Sequence, residues 1–129
     1  MDSGKTKIVQ PTAENIVKCG ELLRSGMLVG MPTETVYGLA ANALDAEACK
    51  SIYRAKGRPL TNPLIAHIAE LDQALSMIDA SEPTIIFDTF KQLAEKFWPG
   101  PLTMVAKANM EKVPSLITAE TGFVGLRMP

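Results

Sequence analysis

Met27-Leu28-Val29-Gly30-Met31-Pro32-Thr33-Glu34-Thr35-Val36-Tyr37-Gly38-Leu39 and, further on, Lys56-Gly57-Arg58-Pro59-Leu60-Thr61-Asn62-Pro63-Leu64-Ile65-Ala66-His67-Ile68 decide the fold. Met27 to Met31 is a short apolar run stopped by proline, the pattern of a buried strand. Between the two stretches Asp45 is placed to cap a helix in which Ala48, Ile52 and Ala55 share one face, with Cys49 and Tyr53 alongside. Gly57 and then Pro59 end that helix, and Leu64 to Ile68 reads as another buried strand. Strand, loop, helix, loop and strand in succession favour an α/β layer fold.

Outward from this centre the same alternation continues. Residues 1–6 are polar and expected to fray, and Lys7 to Val9 is a candidate first strand before Pro11. Thr12 is a plausible cap for a helix in which Ile16, Val17, Leu22 and Leu23 are spaced for one buried face, closed by Gly26 in a left-handed conformation. Leu71 to Ile78 is a short helical segment, and Thr84 to Trp98 a longer helix with Ile86, Phe90, Leu93 and Phe97 on one stripe. Pro99-Gly100-Pro101 stops it. Leu102 to Lys107 and Phe123 to Met128 are the last strand candidates, joined by a polar loop and the short Val113 to Thr118 segment. No internal repeat interrupts the pattern.

Composition bounds the class. The 129 residues suit one domain, and 47% hydrophobic with 21% charged residues describe a chain able to bury a core. A formal charge of −1 disfavours binding nucleic acid over the whole surface, though it leaves room for a local basic patch. Cys19 and Cys49 stand alone, without metal-ligand spacing, and read as reduced helix residues. No apolar run approaches the roughly 18 residues of a membrane span, and the polar N-terminus lacks a signal-peptide pattern. A cytoplasmic, single-domain protein is the expectation.

The chemistry-bearing residues cluster at expected strand and helix ends. Thr33, Thr35 and Tyr37 offer hydroxyls where a strand leaves the sheet, the edge at which open α/β sheets place ligands. A decorated turn would explain them as well. Lys56 and Arg58 suit a helix C-terminus by dipole alone, yet a flexible lysine beside a forked arginine also suits a polyphosphate. No GxxxxGK[ST] loop is present. His67, the one histidine, alternates away from the apolar side of its strand; a satisfied core group is the commoner reading of such a residue. Phe97 and Trp98 read as core, and the Pro-Gly-Pro as a turn. Arg127 near a strand end could meet a carboxylate or phosphate, or face water. Nothing resembles a serine–histidine–acid arrangement or a transition-metal site, and no metal ligands are expected.

Five motifs carry a resemblance in their order and spacing. Pro32 to Leu39, Lys56-Gly57-Arg58-Pro59, Asn62 to Ile65 with His67, Trp98-Pro99-Gly100-Pro101-Leu102-Thr103, and Val124 to Pro129 together resemble the YrdC-like family, whose best-known members are threonylcarbamoyl-AMP synthases. The resemblance implies an α/β fold with a twisted open mixed sheet and flanking helices. It implies condensation of L-threonine, bicarbonate (or CO2) and ATP, with Mg2+ on the ATP, into threonylcarbamoyl-adenylate and pyrophosphate. tRNA and a threonylcarbamoyl transferase are the implied downstream partners.

Carried over by position, Lys56 and Arg58 are implied as catalytic contacts to the ATP phosphates, with Asn62 and Thr118 also on the nucleotide. Thr35, His67 and Arg127 are implied around threonine, and Thr33 and Tyr37 as shaping the pocket. Family members continue into a Ser-x-Asn segment that residues 1–129 do not contain. The expectation is therefore the N-terminal portion of a YrdC-like domain, incomplete on its C-terminal side. Two alternatives stay open: an RNA-binding module (tRNA or rRNA) without turnover, and an inactive truncated form. A carbamoyl-transfer domain of the hydrogenase-maturation type shares the fold but belongs with zinc-finger-like cysteines that are absent here.

Overall fold

The computed structural model describes residues 4–129. Its elements are α1 (Ala13–Arg24), β1 (Val29–Pro32), β2 (Tyr37–Ala40), α2 (Ala46–Lys56), β3 (Ile65–His67), α3 (Leu71–Ser76), α4 (Thr84–Phe97), β4 (Met104–Lys107), a 3-10 turn (Ser115–Thr118) and β5 (Phe123–Arg127). The fold is mixed α/β, as expected, but its strands form two sheets. β1 and β2 make an antiparallel pair, and β3, β5 and β4 make a three-stranded sheet in that order. β5 is central there, parallel to β3 and antiparallel to β4.

Capping chemistry sets the helix limits. The Thr12 hydroxyl accepts the Asn15 amide at 3.2 Å, and Asp45 Oδ1 accepts those of Glu47 and Ala48 at 3.0 and 3.2 Å. Both helices close with paired backbone bonds around a glycine of positive φ. After α1 the amides of Gly26 and Met27 reach Leu23 O and Leu22 O, and after α2 those of Gly57 and Arg58 reach Arg54 O and Tyr53 O. Only a residue at ease in the left-handed region permits that turn.

The core lies on one face of the three-stranded sheet. Val124 and Leu126 are fully buried, with Ala66, Met104 and Ala106 beside them on the same face. Ala48, Cys49, Ile52 and Tyr53 of α2, Phe90 and Ala94 of α4, and Ile78, Val113 and Ile117 from the connections complete the buried set. Side-chain alternation sends Ile65, His67, Val105, Lys107, Phe123, Gly125 and Arg127 to the opposite face.

Several expectations are corrected. Lys7 to Val9 forms no strand. The fraying expected of residues 1–6 falls in part outside the described residues. Residues 37–40, read as loop, are a strand, because the turn at 33–36 folds the chain back on β1. The α1 stripe is not buried: Ile16 and Val17 are each 60% exposed and Leu22 45%. In α4 the buried line is Phe90 and Ala94, leading to Trp98, whereas Ile86, Leu93 and Phe97 stay exposed. Ala55 of α2 likewise faces out. In each helix, which side meets the sheet is decided by tertiary packing that periodicity alone cannot specify.

Candidate functional site

Arg127, last residue of β5, organises the site. Its chain position puts it on the open face of the sheet beside His67 of β3, with which it is in register. Only 9% of it is exposed. Arg127 Nη2 forms an ion pair with the Glu34 carboxylate and a 3.4 Å hydrogen bond to Thr35 Oγ1, while Nε donates to Gly100 O at 3.2 Å. A guanidinium this covered requires such partners, since an unpaired buried charge is costly.

The turn that delivers Glu34 and Thr35 is built by one hydroxyl. Thr33 Oγ1 accepts the amides of Thr35 and Val36, both at 3.2 Å, and donates to Val36 O at 2.7 Å. Thr33 Oγ1 and Thr35 Oγ1 lie 3.1 Å apart. Thr33 thus builds the turn. On the other side, the Gly100 amide donates to Met128 O at 2.8 Å, which holds the Pro99–Pro101 turn against the end of β5. Gly125 leaves the sheet floor bare; a Cβ there would stand 3.3 Å from Thr103 Cγ2.

His67 is not a core residue. It lies exposed on the open face, and partial desolvation pushes its pKa below the ordinary histidine value, which favours the neutral imidazole. A neutral ring can accept a proton or a hydrogen bond next to the Arg127 charge.

A second group surrounds the end of α2. Arg58 Nη2 donates to Pro63 O at 2.8 Å, and Arg58 Nε is buried without a hydrogen-bond partner. The Tyr53 hydroxyl donates to Asn62 O at 2.7 Å, with Leu116 O at 3.3 Å, and so fixes the 57–63 loop to the 3-10 turn. Burial raises the Tyr53 pKa, so the phenol remains a donor. Lys56 and Asn62 are exposed. An open cavity of about 370 Å³ lies here, lined by Lys50, Tyr53, Arg54, Gly57, Arg58 and Leu60.

The structure therefore brings Thr33, Thr35 and Arg127 together with His67 in register beside Arg127, while Lys56, Arg58 and Asn62 share the end of α2 and the loop after it. The segment from Pro63 through β3 to His67 is the covalent link between the groups. Two residues join neither. Tyr37 is 81% exposed in β2, and Thr118 is fully buried with its hydroxyl donating to Ser115 O at 2.8 Å. Glu34 and Gly100 are site residues that sequence reasoning passed over. The usable signal for Glu34 was its place as the sole acid in the Pro32 to Leu39 motif. Among the described residues no group of three His, Cys, Asp or Glu is placed to hold a metal ion. No helix there is long and apolar enough to cross a membrane.

A hydroxyl, an imidazole and a covered guanidinium meet at an open sheet face of this mixed α/β protein, with further cations at a helix end. The Sua5/YciO/YrdC family, described as telomere recombination, matches residues 21–129, and the chain belongs to it. It is 50% identical over 107 residues to threonylcarbamoyl-AMP synthase of Pyrococcus abyssi, covering 83% of this chain and 30% of the relative. The synthase of Bacillus subtilis is 43% identical over 114 residues, covering 88% and 32%. The crystal structure of P. abyssi Sua5 complexed with L-threonine superposes with a TM-score of 0.84 at 45% identity, covering 94% of this chain and 34% of that one. The chain thus spans about a third of the length of the curated relatives it matches.

Proposed function

We propose that this chain carries the threonine- and ATP-binding part of an L-threonylcarbamoyladenylate synthase. The observation that carries the reading is the meeting of Thr35 and Arg127, 92 residues apart in sequence, beside His67 on one open sheet face. Relatives named threonylcarbamoyl-AMP synthase and a solved relative holding L-threonine support it.

In this reading the Arg127 guanidinium binds the threonine carboxylate, and Thr35 Oγ1 and His67 orient the rest of the amino acid. The neutral amine adds to CO2 with loss of a proton, or to bicarbonate with loss of water, to form a carbamate. A carbamate oxygen then attacks the α-phosphorus of ATP, and the bond to pyrophosphate breaks. Lys56 and Arg58 neutralise the phosphates, with Asn62 at the nucleotide. Catalysis rests on positioning and charge, since the protein forms no covalent bond. The buried, unpartnered Arg58 Nε is a donor that a phosphate oxygen could satisfy. Thr118 would contribute to the nucleotide side through the loop it packs, and Tyr37 to the pocket wall, each after rearrangement of its present surroundings. Magnesium would arrive with the triphosphate rather than on a protein ligand set. The product would pass to a threonylcarbamoyl transferase acting on tRNA in the cytoplasm.

The test is ATP–pyrophosphate exchange with and without threonine and bicarbonate, on this chain and on a version extended to the length of its relatives. Threonine-dependent exchange is expected of the extended protein. Its absence would sink the synthase reading, and salt-sensitive tRNA binding without turnover would favour an RNA-binding module instead.

A further inference from the structure

Arg127 has two kinds of partner, and they differ in how firmly they are held. Its Nε contact to Gly100 O is anchored, because Gly100 is itself bonded to Met128 O at the end of β5. Glu34 is not. It sits on the turn between β1 and β2, whose hairpin pairs with itself. The neighbouring α1 buries no residue. Among the described residues, every hydrogen bond and ion pair between positions 29–40 and the three-stranded sheet ends on Arg127. The Glu34 side chain is 39% exposed against 10% for Arg127, so the acid is the solvent-accessible member of the pair.

We propose that Glu34 is a carboxylate placeholder: it occupies Arg127 in the empty site and is displaced by the carboxylate of an amino-acid substrate, which releases the Glu34 side chain. This rests on the threonine reading above. The two carboxylates are chemically equivalent acceptors for one fork of N–H donors, so they compete. The long 3.4 Å contact from Arg127 to Thr35 Oγ1 would be given up at the same moment, releasing that hydroxyl to the incoming amino acid. Tethering gives Glu34 a high local concentration, and the substrate's apparent affinity is reduced by the fraction of molecules in which the pair is closed.

Calorimetric titration with L-threonine and with L-threoninol, which lacks the carboxylate, separates the outcomes. Glu34→Gln should bind L-threonine about 5–10-fold more tightly than the wild type, the gain expected when a largely closed pair is opened, and threoninol equally well. Equal or weaker threonine binding by Glu34→Gln overturns the placeholder while leaving the synthase reading intact. No saturable threonine binding by either protein removes the synthase reading and the placeholder with it.

Discussion

The sheet body and the N-terminal arm follow opposite rules. In the body, β5 runs through the centre with Val124 and Leu126 fully buried, and α2 and α4 lay apolar residues against the same core. In the arm, α1 is properly capped and apolar along one side, yet Ile16, Val17 and Leu22 face outward and nothing in it is buried. The arm meets the sheet through side-chain bonds that converge on Arg127. The difference teaches where rigidity and function divide. The body fixes the cation, the imidazole and the 57–63 loop, while the arm brings hydroxyls and an acid to them on a separate hairpin.

The division can be broken most forcefully through the core. Leu126→Ala should cost about 2–5 kcal/mol, the usual range for a large-to-small change at a closely packed site. Val17→Ala in the arm should cost about 0.5 kcal/mol or less, as exposed substitutions do. Chemical denaturation of both variants decides this, and equal losses would mean that α1 is packed after all.

Arg58→Ala sharpens the division from the functional side. Arg58 follows a helix stop, and its visible protein contact is one bond to Pro63 O. Exchange activity in the extended protein should fall about 10²-fold or more, the scale of losing one charge-stabilising donor, while thermal melting stays cooperative. Loss of cooperative melting would assign Arg58 a structural role instead.

The smallest expected effect is a pH dependence. Burial lowers the His67 pKa from its ordinary 6.5, so the folded protein binds that proton less tightly than the unfolded chain. Between the lowered value and 6.5 the unfolded state holds more protons. The His67 contribution is therefore fully present above this window and is lost as pH falls through it. Melting temperatures from pH 7 down to pH 5 should fall slightly less for His67→Gln than for the wild type. Identical profiles would remove the inferred desolvation.

Much of the body was legible in sequence because its signals are local. Thr12 and Asp45 cap as expected, Gly57 takes the left-handed turn, and the strands at Ile65–His67 and Phe123–Arg127 fall within their apolar runs. The YrdC-like resemblance agrees with the family match. What was missed depends on long-range geometry. β2 is short and contains Gly38, so its strand character appears only in its pairing with β1. The buried side of α4 is set by how the helix lies on the sheet. The Glu34–Arg127 pair joins residues far apart in the sequence, and no local pattern announces it.

The central claim is that arm and body share one ligand at the Thr35–Arg127 contact. A double-mutant cycle on L-threonine binding, with Thr35→Val, Arg127→Lys and the pair together, tests it most directly. The account predicts a coupling of about 1–2 kcal/mol, within the range for residues acting on one network. Additivity within about 0.3 kcal/mol, with threonine still bound by the wild type, would show that the two regions do not act on the same molecule.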